Sequence, residues 1–218
     1  ITGANGMVGK GVLLECLDSE SIDSVLVINR RPIETEHPKL KEIVQKDFYD
    51  LSSIEDQLKG YDACFFCLGV SAYRMSEENY KKITYDLTLH FANTLLKLNP
   101  EMTFCYVSGQ GTDGSEKGRI MWARVKGMTE NAILAMPFKK SYMFRPGFIQ
   151  PLRGIKSSTK MYNTIYTIIS PFMPVLKLLF PKSITNTDRV GKAMINSVTI
   201  GYHKKHLDNK DINQLAAG

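Results

Sequence analysis

Short, nearly continuous apolar runs alternate along this chain with longer stretches whose apolar residues recur every three to four positions. The runs Ser24–Asn29, Glu42–Lys46, Ala63–Leu68, Thr103–Ser108 and Lys140–Arg145 are rich in Val, Ile, Phe and Cys. Such runs predict strands buried on both faces, as in a parallel sheet. Helices are predicted between them, over Val8–Leu17, Ile54–Leu58, Glu77–Leu98 and Arg119–Ala135. In the long helix from Glu77, the stripe Ile83, Leu87, Phe91 and Leu95 is expected to face the sheet. Strand–helix alternation of this kind predicts an α/β fold: a doubly wound parallel sheet of the Rossmann type with a small helical C-terminal extension.

The chain has 218 residues, enough for a single domain with a sizeable core. The alternation stops after Pro151, which divides a core over 1–150 from a substrate-side region over 151–218. Within that region Met161–Pro181 is strongly apolar, but Pro171 and Pro174 interrupt it, so two short helices are expected rather than a membrane span. If its apolar face is exposed, 161–181 would serve a homodimer, a protein partner or a membrane surface. Ser183–Asp188 supplies caps for a helix running through Val190 and Met194 to Val198. Ile1 stands directly before a glycine-rich turn. It is read as the last residue of a strand, with further residues expected ahead of it and no secretory signal in view.

The net charge of +6 is mild and suits an anionic small molecule. No clustered basic face of the kind nucleic acid requires is visible. Cys16, Cys64, Cys67 and Cys105 are too few and too scattered for a disulfide framework, and a cytoplasmic setting is expected. Cys64 and Cys67 lie three apart on a strand, so they point to opposite faces and are read as core. His203 and His206 have no evident third ligand, so no metal site is expected and the segment is read as solvated.

The chemistry starts at Thr2-Gly3-Ala4-Asn5-Gly6-Met7-Val8-Gly9. Gly3 permits a tight turn, Gly6 a close approach to a pyrophosphate, and Gly9 packing of the helix on the strand. The amides of Asn5, Met7 and Val8 lie at the helix mouth, where a free N-terminus favours phosphate. The next strand ends Asn29-Arg30-Arg31-Pro32, with two guanidiniums where a NAD site would carry a carboxylate for the ribose. That favours NADP(H) over NAD(H), since arginine matches a 2′-phosphate.

With these residues in place, the chain resembles the extended and atypical members of the short-chain dehydrogenase/reductase superfamily, the epimerase-like proteins, and among them the Tat-interacting oxidoreductase-like group. Further matching pieces are Asp47-Phe48, Cys67-Leu68-Gly69, Tyr106-Val107-Ser108, Val125-Lys126-Gly127 and Arg145-Pro146-Gly147-Phe148-Ile149. The resemblance implies that Asp47 and Phe48 border the adenine, that Leu68 and Gly69 line the ribose and nicotinamide path, and that Pro146, Gly147, Phe148 and Ile149 flank the nicotinamide. It also implies a catalytic serine at Ser108 and a ribose-binding lysine at Lys126. The family's Tyr-x-x-x-Lys reads Trp122-Ala123-Arg124-Val125-Lys126 here. Trp122 shares the helix face of Lys126 and takes the place of the phenol. An indole N–H donates a hydrogen bond but is no acid near neutral pH.

The leading expectation is an oxidoreductase on a small carbonyl or alcohol, with the proton supplied by Tyr73, Tyr80 or a water on Ser108, or with little proton help needed. A non-catalytic NADP(H)-binding sensor or scaffold is the alternative. A nucleotide-sugar epimerase ranks below both, because that chemistry also uses the tyrosine and 151–218 is short for holding a nucleotide sugar.

Overall fold

The computed structural model describes residues 1–155 and 183–218. The expectations for 161–181 therefore lie outside the described residues.

Five parallel strands form the body of the sheet: β1 (Val25–Asn29), β2 (Leu40–Val44), β3 (Ala63–Phe66), β4 (Thr103–Val107) and β5 (Lys140–Phe144). Thr2 bridges both Ile28 and Phe66, so the Ile1–Thr2 stub sits between β1 and β3. A short strand β8 (His206–Leu207) adds to the far side of β5. The spatial order is thus β2, β1, the stub, β3, β4, β5, β8, and it reverses direction at the stub. Beneath Thr2, the gap between β1 and β3 widens into a cavity of about 570 Å³ lined by Val25, Leu26, Ala63 and Cys64. Two further short strands, β6 (Phe148–Gln150) and β7 (Ile184–Asn186), pair in parallel as a separate ribbon.

The strands read as unbroken apolar runs because each face feeds its own core. Val25, Val27, Phe65, Cys105, Tyr142 and Phe144 point into one, while Leu26, Ile28, Cys64, Phe66, Phe104, Tyr106 and Met143 point into the other. The first core is closed by α1 (Met7–Asp18), α5 (Thr187–Thr199) and α6 (Asn209–Leu215), and the second by α3 (Leu87–Leu98) and α4 (Met121–Ala135). As expected, Cys64 and Cys67 face opposite cores. Among the described residues no group of three or more His, Cys, Asp or Glu could hold a metal, and no helix is long and apolar enough to cross a membrane.

The structure corrects three expectations. The second strand begins at Leu40 rather than Glu42, because pairing with β1 aligns Val25 with Leu40 and Asn29 with Val44. The helix predicted over Glu77–Leu98 contains a π turn, Lys82–Asp86, between α2 (Glu77–Lys81) and α3. The wider turn rotates the inward face, so Tyr80, Thr84 and Thr88 are buried where Ile83 and Leu87 were expected. Nor does the core end at Pro151. β8 extends the main sheet, and α5 crosses α1 so closely that a Cβ on Gly11 would stand 2.6 Å from the Thr187 Cβ. Residues 183–218 therefore complete the fold that holds the site.

Candidate functional site

Because the strands run parallel, the segments leaving their C-terminal ends gather on one edge of the sheet, and the crevice opens where the order reverses. Thr2–Gly9 lies there. Gly3 has φ +71°, and a Cβ on it would stand 2.7 Å from the Cys67 carbonyl carbon and 2.8 Å from the Leu68 nitrogen. A Cβ on Gly9 would stand 2.3 Å from the Gly3 oxygen. Neither position has room for a side chain. Gly6 has a single neighbour within contact, the Gly3 oxygen at 3.2 Å.

Three bonds fix this turn. The Gly6 amide donates to the Gly3 carbonyl at 2.8 Å, the Ala4 amide to Asn29 Oδ1 at 3.2 Å, and Asn5 Nδ2 to the Arg31 carbonyl at 2.8 Å. The first i→i−4 bond of α1 runs from Lys10 to Gly6, leaving the amides of Met7, Val8 and Gly9 at the helix mouth. No side chain caps this end and its first turn carries no acidic residue, so its positive pole is not neutralised. Arg30 and Arg31 are exposed immediately beyond β1.

The remaining expected residues divide. Asp47 is exposed and accepts from the Tyr49 amide at 2.8 Å, but Phe48 is buried and stacks on Phe91 with ring centroids 5.8 Å apart. The Phe48 ring belongs to an aromatic core, so its backbone is the part left to border an adenine. Leu68 is half-buried and Gly69 faces open space. Pro146 accepts from the Gln110 amide at 2.9 Å, Gly147 donates to Asn209 Oδ1 at 3.0 Å, and Ile149 is buried. Phe148 opens β6.

Ser108 ends β4 and Lys126 lies on α4, and the structure brings them together: the Lys126 ammonium donates to the Ser108 carbonyl. Burial pushes this ammonium down to about 8, against a smaller upward pull from Glu130. The Ser108 hydroxyl is turned inward, donating to Glu130 Oε1. Glu130 is fully buried and is held by Arg145, whose Nε lies 3.0 and 3.1 Å from its two oxygens; His206 Nε2 lies 3.5 Å away. Burial is the main force holding His206 below its ordinary value, and the Arg145 charge adds to it. Trp122 is half-buried, with Cη2 3.5 Å from where a Cβ on Gly111 would stand. Of the alternative proton donors, Tyr73 is 76% exposed, whereas Tyr80 is buried and hydrogen-bonded with Thr84.

The Glu130–Arg145–His206 cluster and Asn209 went unread in the sequence. Glu130 stands four residues beyond Lys126 on one helix face, a spacing that could have found it. His206 and Asn209 carry no such signal, since they arrive only because β8 joins the sheet.

Comparison with known proteins agrees with this architecture. The profile of the NAD dependent epimerase/dehydratase family matches residues 1–122. Protein HTATIP2 of Rattus norvegicus is 28% identical over 151 residues, covering 68% of this chain and 61% of that protein. "Protein FMP52, mitochondrial" of Debaryomyces hansenii is 30% identical over 149 residues, covering 67% of this chain and 64% of that protein. The matches thus span under two thirds of either relative. Among solved structures, the Helicobacter pylori ADP-L-glycero-D-manno-heptose-6-epimerase superposes with a TM-score of 0.69 at 15% identity, covering 95% of this chain and 74% of that one. At that identity the likeness concerns the fold alone.

Proposed function

The chain belongs to the NAD dependent epimerase/dehydratase family, and from that premise we propose that it binds NADP(H) at Thr2–Gly9 and acts as an oxidoreductase on a small carbonyl or alcohol. One observation carries the proposal. Gly3 and Gly9 are locked together in a cradle that any Cβ would fill, and the cradle presents the uncapped mouth of α1 at the point where the strand order reverses. Backbone amides and an unneutralised helix pole suit a pyrophosphate.

The residues fit the dinucleotide. Asn5, Gly6, Met7, Val8 and Gly9 would hold the pyrophosphate, and Lys126 the nicotinamide ribose. Asp47 would stand beside the adenine, and Leu68, Gly69 and Pro146–Ile149 would line the nicotinamide path. When bound, the cofactor supplies or accepts a hydride. The choice of NADP(H) rests on Arg30 and Arg31. Both are exposed past β1, and Asn29, where a carboxylate would grip the ribose, is already engaged by the Ala4 amide.

A second reading, a binder that does not turn the cofactor over, is favoured by one observation: Trp122 stands at the tyrosine's place while the Ser108 hydroxyl is tied to Glu130. The epimerase reading stays third, since it too uses the tyrosine. Four free cysteines fit a reducing compartment, and we read the cytoplasm as the setting. The mitochondrial label of the Debaryomyces hansenii relative makes that organelle the alternative, which cell fractionation decides.

The test is titration with NADPH and NADH while following the sole tryptophan, Trp122. Quenching that is tighter for NADPH, and a preference erased in Arg30→Ala/Arg31→Ala, are expected. Flat traces with both nucleotides refute the proposal.

A further inference from the structure

The hydroxyls of Ser108, Thr112 and the exposed Ser115 are each hydrogen-bonded within the protein. Ser108 gives its proton to Glu130, Thr112 Oγ1 donates to the Gly109 carbonyl at 2.7 Å, and Ser115 Oγ to Asp113 Oδ1 at 2.6 Å. Tyr80 is buried against Thr84, and the Lys126 ammonium gives one of its three donors to the Ser108 carbonyl. The Ser108 bond is not easily given up. Glu130 is fully buried with its oxygens turned to Arg145, and swinging the hydroxyl outward would cost it a donor. Hydride addition to an isolated carbonyl leaves an alkoxide, whose conjugate acid is about as weak as water, near ~16. A phenolate, with a conjugate acid near ~10, is about a million-fold easier to leave unprotonated.

Resting on the reading of the chain as an NADP(H) oxidoreductase, we propose that its substrate is a quinone-type acceptor rather than a simple aldehyde or ketone. The quinone takes up a hydride, two electrons with one proton, and becomes the hydroquinone monoanion while NADPH is oxidised to NADP⁺. The second proton comes from water, so no side chain need supply one. The surroundings suit a flat apolar ring. Gly111, at φ +87°, lies beside the Trp122 indole, and aromatic faces favour stacking. Ile120 and Tyr73, 58% and 76% exposed, lie on segments leaving the same sheet edge. The Arg74 guanidinium sits 5.1 Å from the Tyr73 ring centre, a positive charge on that rim for an anionic product.

The experiment uses the whole chain, first confirming NADPH binding by Trp122 quenching, then following NADPH oxidation with duroquinone and with benzaldehyde. Duroquinone is chosen because its fully methylated ring does not arylate cysteine. General acid assistance contributes about 10²–10⁴-fold, so kcat/KM for duroquinone should exceed that for benzaldehyde by about 100-fold or more. Trp122→Tyr should narrow the gap at least about tenfold by raising aldehyde reduction. Equal or faster benzaldehyde reduction by the parent overturns the proposal. So does inertness to both acceptors with NADPH bound, an outcome that leaves the nucleotide-binding assignment standing. Absence of NADPH binding overturns that assignment and this proposal with it.

Discussion

Replacing Glu130 with glutamine keeps the volume of a fully buried side chain and removes only its charge. In the folded protein that charge faces the Arg145 guanidinium through contacts of 3.0 and 3.1 Å, accepts the Ser108 hydroxyl, and lies 3.5 Å from His206. Removing one member of a buried ion pair costs about 3–5 kcal/mol, because the survivor is left without compensation. Here the Arg145 side chain is 25% exposed while that of Glu130 is 0%, so water recovers part of the loss and the lower end, about 3 kcal/mol, is expected. For a chain of this size that is a fall in Tm of roughly 6–12 °C. Urea titration followed by circular dichroism should show a lower midpoint with an unchanged slope. The double variant Glu130→Met/Arg145→Met should recover most of the stability, since it strands neither charge. A loss below about 0.5 kcal/mol for Glu130→Gln, the scale of an ordinary surface change, would refute the view that this carboxylate anchors the site.

Gly9→Ala places a methyl 2.3 Å from the Gly3 oxygen, so the turn must shift; NADPH affinity measured by calorimetry should fall about 10–100-fold as amide contacts to phosphate are lost. Lys126→Met removes a cation that burial holds down to about 8, so at pH 7 the variant should be about 1–3 kcal/mol more stable to urea, and it should bind NADPH more weakly. The parent should gain stability between about pH 8 and 10.5, where its unfolded lysine still binds a proton that the folded one has released, and Lys126→Met should lack that slope. His206 titrates below its usual 6.5 in the fold, so the unfolded chain takes up the proton first. Stability should therefore decline as pH falls below 6.5, less steeply in His206→Gln, with melting curves across pH as the check.

Much of the fold was legible because strands buried on both faces leave unbroken apolar runs, and β1, β3, β4 and β5 each match the expectation at one end and within two residues at the other. β2 was displaced because its pattern is that of a half-exposed strand with two charged residues, Lys41 and Glu42, and its start is set by pairing with β1. Neither the π turn at Lys82–Asp86 nor β8 has a local signature. The first shows only as a change in which residues are buried, and the second is two residues long and exists as a strand only where β5 offers an edge.

The glycine turn was readable for a related reason: its constraint is steric and local, since Gly3 and Gly9 touch each other and the adjoining Cys67–Leu68 backbone. The chemistry beside it is not local. Ser108 looks like a free hydroxyl in the sequence, and only the packing of α4 on β4 and β5 turns it toward Glu130. Arg145 then neutralises Glu130 from just beyond β5, and His206 approaches from a segment that looked like an appendage. A motif of serine and lysine thus specifies where two groups stand but not where their protons go. That second property is decided by buried charges supplied from three separate parts of the chain. In this protein those charges draw the serine's hydroxyl away from the crevice, and under the proposed oxidoreductase reading this limits the proton supply to an acceptor alongside the tryptophan at the tyrosine's position.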